Sequence, residues 1–193
     1  AVLPHAGCRE APGVGLEAHG RQLYAWATDK YTIAVARIDC GYTFTSYLSA
    51  GEARDLERFV RPGKVGERSA FIELAQRDGE LHIGLADDSA VFEESTAQLT
   101  LDRMLGQIES MRSWPGEDRE LMFNPELPAR FVKAKRDPLD RMRFYPVRSV
   151  HHGQRYGCCV VTVGDSFIGA VAGMEYDDAQ PLDGWFTKEE KVA

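Results

Sequence analysis

Ser166, in the triplet Gly164-Asp165-Ser166, is the first residue to weigh as a nucleophile, because hydrolases that begin with Gly-Asp-Ser draw their base from a later Asp-x-x-His. A serine hydroxyl attacks usefully only beside a positioned base, and no histidine follows Ser166. The triplet lies between two strand-like runs and reads as a hairpin turn. Zinc chemistry would rest on His151, His152, Cys158 and Cys159, whose side chains suit that metal. Adjacent cysteines on a strand point to opposite faces and do not easily share one ion, and no C-x-x-C or H-x-x-x-H spacing supports them. They read as buried thiols beside a polar loop. The acidic pairs Asp87-Asp88, Glu93-Glu94 and Asp177-Asp178 are of a type that holds divalent ions or works as acid and base, yet each falls in turn-like or tail sequence, where solvated charge is the default. The nucleotide fingerprints G-x-x-x-x-G-K (then Ser or Thr) and G-x-G-x-x-G do not occur. These residues give no catalytic group, no metal site and no cofactor.

Positive charge, by contrast, is patterned. Arg54, Arg58 and Arg61 recur at i, i+4 and i+7, and Arg130, Lys133 and Arg136 at i, i+3 and i+6, so each set shares one face of a helix. Such a stripe is either a phosphate-contacting surface or an ordinary solvated face. Glu52, Asp55 and Glu57 lie beside the first set, whereas Lys135, Arg141 and Arg143 reinforce the second. The net charge of −7 makes any nucleic-acid contact local, because such binding is driven by neutralising phosphates.

The elements that must position these groups come from alternation and turn residues. Strands over 14–18, 22–27 and 32–38, divided by His19-Gly20 and Asp29-Lys30, form a meander. A helix follows over 49–60, with Ser49 and Glu52 as a capping box, Ala53, Leu56 and Val60 inward, and Pro62-Gly63 as its stop. Strands over 70–75 and 81–86 flank the hairpin turn Asp78-Gly79, with a third around Val91. After a polar connection over 99–120, the pattern returns as a strand at 121–123 and a helix over 125–135. Asn124 caps that helix, Pro125 enters its first turn, Pro128 distorts it, and Leu127, Phe131 and Ala134 face inward. Strands over 141–147, 156–163 and 167–172 close the pattern, and an acidic tail follows, poorly ordered unless bound. Helix then meander thus occurs twice in full and once in part, and such units must stack to make a core.

With 44% hydrophobic residues, nine Phe, seven Tyr and three Trp, the chain has material for one substantial core or two small ones. Apolar runs such as 158–161 are far too short to cross a bilayer, and no basic region with an apolar stretch opens the chain. Four cysteines do not make the dense framework of a secreted mini-protein, which points to a reducing cytoplasm. The chain starts at Ala1 without Met, in a segment that reads as a helix end running into a loop, so residues upstream are expected.

Leu23-Tyr24-Ala25-Trp26-Ala27-Thr28-Asp29-Lys30-Tyr31-Thr32-Ile33-Ala34-Val35 resembles the strand-turn-strand of bacterial DNA sliding clamps, in which an Ala-Thr-Asp turn precedes a Leu-Ala-Val strand. Phe123-Asn124-Pro125 with its helix is similar to that family's last Phe-Asn helix, and Gly164-Asp165-Ser166-Phe167-Ile168-Gly169-Ala170-Val171 to its final hairpin. Leu101-Asp102-Arg103-Met104-Leu105 is a loose counterpart of the linker between second and third domains. The pieces occur in family order and cover most of 14–174. A clamp chain has three domains of two units, whereas this one has room for about three units, and the family's Met-Pro ending stands here as Ala172-Gly173-Met174-Glu175.

The resemblance implies an α+β fold of repeated strand-helix-strand-meander units, with antiparallel sheets and helices packed on one face. It divides the chain into a clamp-like part at 1–98 (an incomplete first unit and a complete second), a connector at 99–120, a clamp-like unit at 121–175 and an acidic tail at 176–193. It further implies a non-catalytic replication accessory that forms a homo-oligomer and holds double-stranded DNA weakly and without sequence preference. The DNA contacts would be Arg130, Lys133 and Arg136, with Arg54, Arg58 and Arg61. Polymerase-type peptides would dock near Thr28, Lys30, Tyr31, Thr32 and Ile33, in a pocket closed by Ala170, Ala172 and Met174. From the residues alone, Ile33, Val35, Ala170 and Ala172 read first as alternating core positions. The segment Gln180-Pro181-Leu182-Asp183-Gly184-Trp185-Phe186 resembles the family's partner peptides and would enter such a pocket, against a default of a solvated tail. A clamp-fold interaction module without DNA binding, and a small hydrolase or metal enzyme, are the alternatives.

Overall fold

A computed structural model describes residues 1–7, 12–41, 43–60, 73–85, 88–96, 99–112, 123–151 and 154–173. Among them, ten strands make two antiparallel sheets. Strands β1 (Gly13–His19), β2 (Gln22–Thr28), β3 (Thr32–Asp39), β4 (Thr45–Ser49), β8 (Met142–His151), β9 (Gln154–Val163) and β10 (Phe167–Ala172) form a seven-stranded sheet in the order β4-β1-β2-β3-β10-β9-β8. Strands β5 (Glu73–Arg77), β6 (Glu80–Leu85) and β7 (Asp88–Glu93) form a smaller sheet in sequence order. The large sheet therefore joins strands from both sides of the 99–120 segment.

The central strands are apolar on both faces because both faces are covered, as expected of strands buried on two sides. Ala27, Ala34, Val161 and Val171 belong to one core, and their neighbours Trp26, Ile33, Val35, Val160 and Ala170 to the other. The first core is closed by helix α1 (Ala50–Phe59), by helix α3 (Glu126–Ala129) with the 3-10 helix Arg130–Ala134 that continues it, and by Leu81, Ile83 and Phe92 of the small sheet. The second is closed by helix α2 (Leu101–Arg112), whose Leu101, Met104 and Ile108 recur at helical spacing. Gly15 stands opposite Trp26 in the β1–β2 register, and a Cβ there would collide with the indole.

Local chemistry explains the boundaries. Ser49 and Glu52 form the capping box reciprocally, at 3.2 Å in each direction. Asp78 and Gly79 both have positive φ, the requirement of a type I′ hairpin turn. Gly164 opens the 164–166 turn between β9 and β10 at φ +54°, so the triplet containing Ser166 is a hairpin turn. Pro146 lies in β8, an edge strand, where a missing N–H is tolerated.

Five readings are corrected. The stretch 99–120 holds helix α2, capped by the Thr100 hydroxyl, which accepts from Arg103 N at 3.3 Å. Strand β4 precedes the first helix, where no strand was expected. The β5 strand, Glu73–Arg77, ends past the expected end at 75, and 70–72 of the expected range lie outside the described residues. The helix over 125–135 is a short α turn that tightens into a 3-10 helix. Pro128 has no N–H to donate, and bonds on either side of it reach back three residues: Leu127 N to Asn124 O, and Lys135 N to Val132 O. Asn124 does cap this helix, accepting from Glu126 N at 3.0 Å. Phe123, the described residue of the expected 121–123 strand, is not in a strand.

Candidate functional site

The turn between β2 and β3 is organised by one carboxylate. Asp29 Oδ1 accepts from the backbone N–H of Tyr31 (3.0 Å) and Thr32 (2.7 Å) and from the Thr32 hydroxyl (2.7 Å). Its other oxygen, Oδ2, is paired with the guanidinium of Arg130. Thr28 Oγ1 donates to the Thr32 carbonyl at 2.8 Å. Because Thr32 gives its one hydroxyl proton to Asp29, it must accept from His5 Nδ1, which lies 2.8 Å away. His5 is fully buried in the 3-10 helix Leu3–His5 and packs on Phe131, with ring centroids 4.7 Å apart.

Electrostatics follow from this wiring. Burial opposes ionisation of Asp29, but hydrogen bonds from Thr32 and Arg130 outweigh it and hold the carboxyl below its usual range. Burial pushes the His5 imidazole down to about 4, with Asp29 opposing and Arg130 assisting. His5 Nε2 is buried without a partner among the described residues, so a proton placed there would be an unpaired buried donor.

The residues expected to line a peptide pocket are brought together in part. Strand β10 pairs with β3, setting Ala170 opposite Ile33, and Ala172 N donates to Tyr31 O at 2.7 Å. Thr28, Lys30, Tyr31, Thr32, Ile33, Ala170 and Ala172 therefore sit at one end of three adjacent strands. Met174 lies outside the described residues. Thr28, Thr32, Ile33 and Ala170 are buried, the last two in the core under α2 with Val35, as the alternation reading held, whereas Ala172, expected there too, is only partly buried. Tyr31, at 55% exposure, and Lys30 form the open rim, with Lys30 Nζ 5.9 Å from the Tyr31 ring centroid.

The basic stripes are less continuous than their spacing implies. Arg130 is half-buried against Asp29 instead of facing solvent. Lys133 is exposed on the 3-10 helix, while Arg136 lies past the helix end, its N–H donating to Asp140 Oδ2 at 2.8 Å. Arg54 and Arg58 are exposed on α1, with Arg58 bound to Asp55 at 2.9 Å, and Arg61 lies outside the described residues.

Cys158 and Cys159 are both buried, one in each core, so their sulfurs point to opposite faces of the sheet. Burial pushes these thiols up to about 12 and about 11. Among the described residues no three His, Cys, Asp or Glu side chains cluster to hold a metal. His152, Asp87 and the pair Asp177-Asp178 lie outside them, as does the segment 180–186. Glu94 of the remaining acidic pair accepts from Gln76 Nε2 at 2.9 Å. No described helix is long and apolar enough to cross a membrane.

Two participants escaped the sequence reading. Asp29 was quoted only as part of a turn, and His5 carried no signal, since its partner Thr32 is 27 residues away. An apolar N-terminal segment with a single histidine was the available hint.

No family model matches the chain, and no curated protein matches it in sequence. Solved structures do. The β subunit of DNA polymerase III from Thermotoga maritima superposes with a TM-score of 0.60 at 12% identity, covering 91% of this chain and 61% of that one. The β subunit from Streptococcus pyogenes gives 0.58 at 14% identity, covering 91% and 62%. A Helicobacter pylori β clamp, solved with a DNA ligase peptide, gives 0.57 at 9% identity, covering 98% and 64%. The chain thus has the sliding-clamp fold over less than two thirds of these proteins' length, and at such identities the likeness is one of fold.

Proposed function

We propose that this chain is a clamp-like accessory of a bacterial or phage replication system, acting in the cytoplasm to tether a polymerase-type partner to duplex DNA without doing chemistry itself. The supporting observation is the juxtaposition of 28–33 with 170–172 at one end of a sheet that has the clamp fold. In this reading 1–98 and 121–175 are clamp-like parts linked through 99–120, and the chain assembles with copies of itself. Strand β8, at the edge of the sheet among the described residues and with Phe144 and Tyr145 exposed, is a surface suited to that assembly, because an edge strand can pair with another chain.

DNA binding would rest on Lys133, Lys135 and Arg136, exposed near one another. Neutralising about three phosphates gives a slope of about −2.7 in log K against log salt, roughly a fortyfold loss between about 50 and 200 mM. Anisotropy of a labelled duplex across a salt series tests this, with loss of binding expected when all three are changed to Glu. The engagement of Arg130 by Asp29 and of Arg58 by Asp55 favours a second reading, a clamp-fold protein-interaction module without DNA binding. Absence of salt-dependent binding at low salt selects that second reading.

A further inference from the structure

We propose that Arg130 and His5 are positioning residues for the Lys30–Tyr31 rim, and that the N-terminal segment 1–6 is a latch that holds this rim from beneath. The inference rests on the docking reading above and adds what keeps the site in shape. Lys30 has φ +82°, a left-handed conformation that a lysine adopts only when its surroundings impose it. What imposes it is Asp29, which takes the N–H groups of both Tyr31 and Thr32 on one oxygen. These bonds and that from the Thr32 hydroxyl fix Oδ1, which leaves the second oxygen, Oδ2, to be held. Arg130 holds it, from a position 101 residues further along the chain.

Neither holder belongs to the sheet that carries the rim. Arg130 starts the 3-10 helix Arg130–Ala134, and the next residue, Phe131, is wedged between His5 at 4.7 Å and Phe167 at 5.8 Å. His5 reaches the same carboxylate from the other side through the Thr32 hydroxyl. The N-terminal segment and the 3-10 helix Arg130–Ala134 therefore meet on Asp29, while Lys30 and Tyr31 above it stay open to solvent. Displacing either support releases the turn, so both are coupled to whatever docks on Tyr31.

The test uses the full chain and three variants, Arg130→Gln, Arg130→Lys and His5→Phe. Leu81→Ala, in the small sheet and making none of the hydrogen bonds around Asp29, serves as a control that lowers stability. Two quantities are read: hydrogen exchange of the Tyr31 and Thr32 amides, and affinity for a fluorescein-labelled pentapeptide beginning with Gln and ending in Leu-Phe. Arg130→Gln should speed exchange at both amides and weaken the peptide, each about tenfold, beyond anything seen with Leu81→Ala at a matched thermal midpoint. Arg130→Lys should recover most of both, and His5→Phe, which keeps the ring stack, should still speed exchange. If Arg130→Gln and Leu81→Ala behave alike, the positioning role is overturned; unchanged exchange in His5→Phe overturns the latch. If the unmodified chain does not bind the peptide, the docking reading falls, and the exchange contrast alone decides the positioning role.

Discussion

His5 should make stability depend on pH well above the carboxylate range. Its imidazole is buried and neutral, depressed from 6.5 to about 4. Between those values the unfolded chain binds the more protons, so stability rises with pH across the window and is lost as pH falls through it. At about 1.4 kcal/mol per pH unit, the full difference is about 3 kcal/mol, most of it lost by pH ~4.5. That is a large share of the ~5–15 kcal/mol that holds a typical domain folded. Asp29 acts lower down: its carboxyl is held below the usual range, so its contribution is present above 3.8 and disappears only as pH falls through the folded value. The assay is urea unfolding of wild type and His5→Phe at about pH 7, 5.5 and 4.5. The variant keeps a ring against Phe131, and any constant packing difference cancels when only the change with pH is compared. With an m-value of about 3 kcal/mol/M, the wild-type midpoint should fall ~1 M further than that of the variant. Parallel pH dependence in the two proteins would refute the reasoning.

The cores make simpler predictions. Phe131 is fully buried where α3 and the N-terminal segment meet, so Phe131→Ala should cost about 3–5 kcal/mol by chemical denaturation, and a loss under ~1 kcal/mol would contradict its place there. Gly15→Ala puts a methyl group into the Trp26 indole and should destabilise by about 1–3 kcal/mol with a change in Trp fluorescence, whereas a neutral outcome would mean the β1–β2 register is wrong.

What the sequence disclosed and what it hid divide along the range of the interactions. Asp78-Gly79, the Ser49-Glu52 box and the opposed sulfurs of Cys158 and Cys159 depend on neighbours a few residues apart, and each is where local chemistry places it. Helix α2 was missed because Gly106 and a largely polar exterior mask three inward residues, although the Thr100 cap was there to be seen. The basic stripe at Arg130, Lys133 and Arg136 assumed one continuous helix. The end of the helix at Ala134, before Arg136, and a partner for Arg130 that lies 101 residues back broke it up, and periodicity contains no information on either. Of the pocket residues, alternation correctly buried Ile33 and Ala170 but not Ala172, which is only partly buried, and Tyr31 is exposed as its turn position implies, in a conformation set by Asp29.

The docking reading is tested most directly at Tyr31, whose ring is open to solvent, so that Tyr31→Ala should leave stability within about 0.5 kcal/mol. Affinity for the labelled pentapeptide, measured by anisotropy on wild type and Tyr31→Ala, is the decisive quantity, since exposed aromatic anchors carry much of short-peptide binding. The account predicts saturable binding to wild type and a loss of about tenfold or more in the variant. Equal affinity in the two proteins would contradict it.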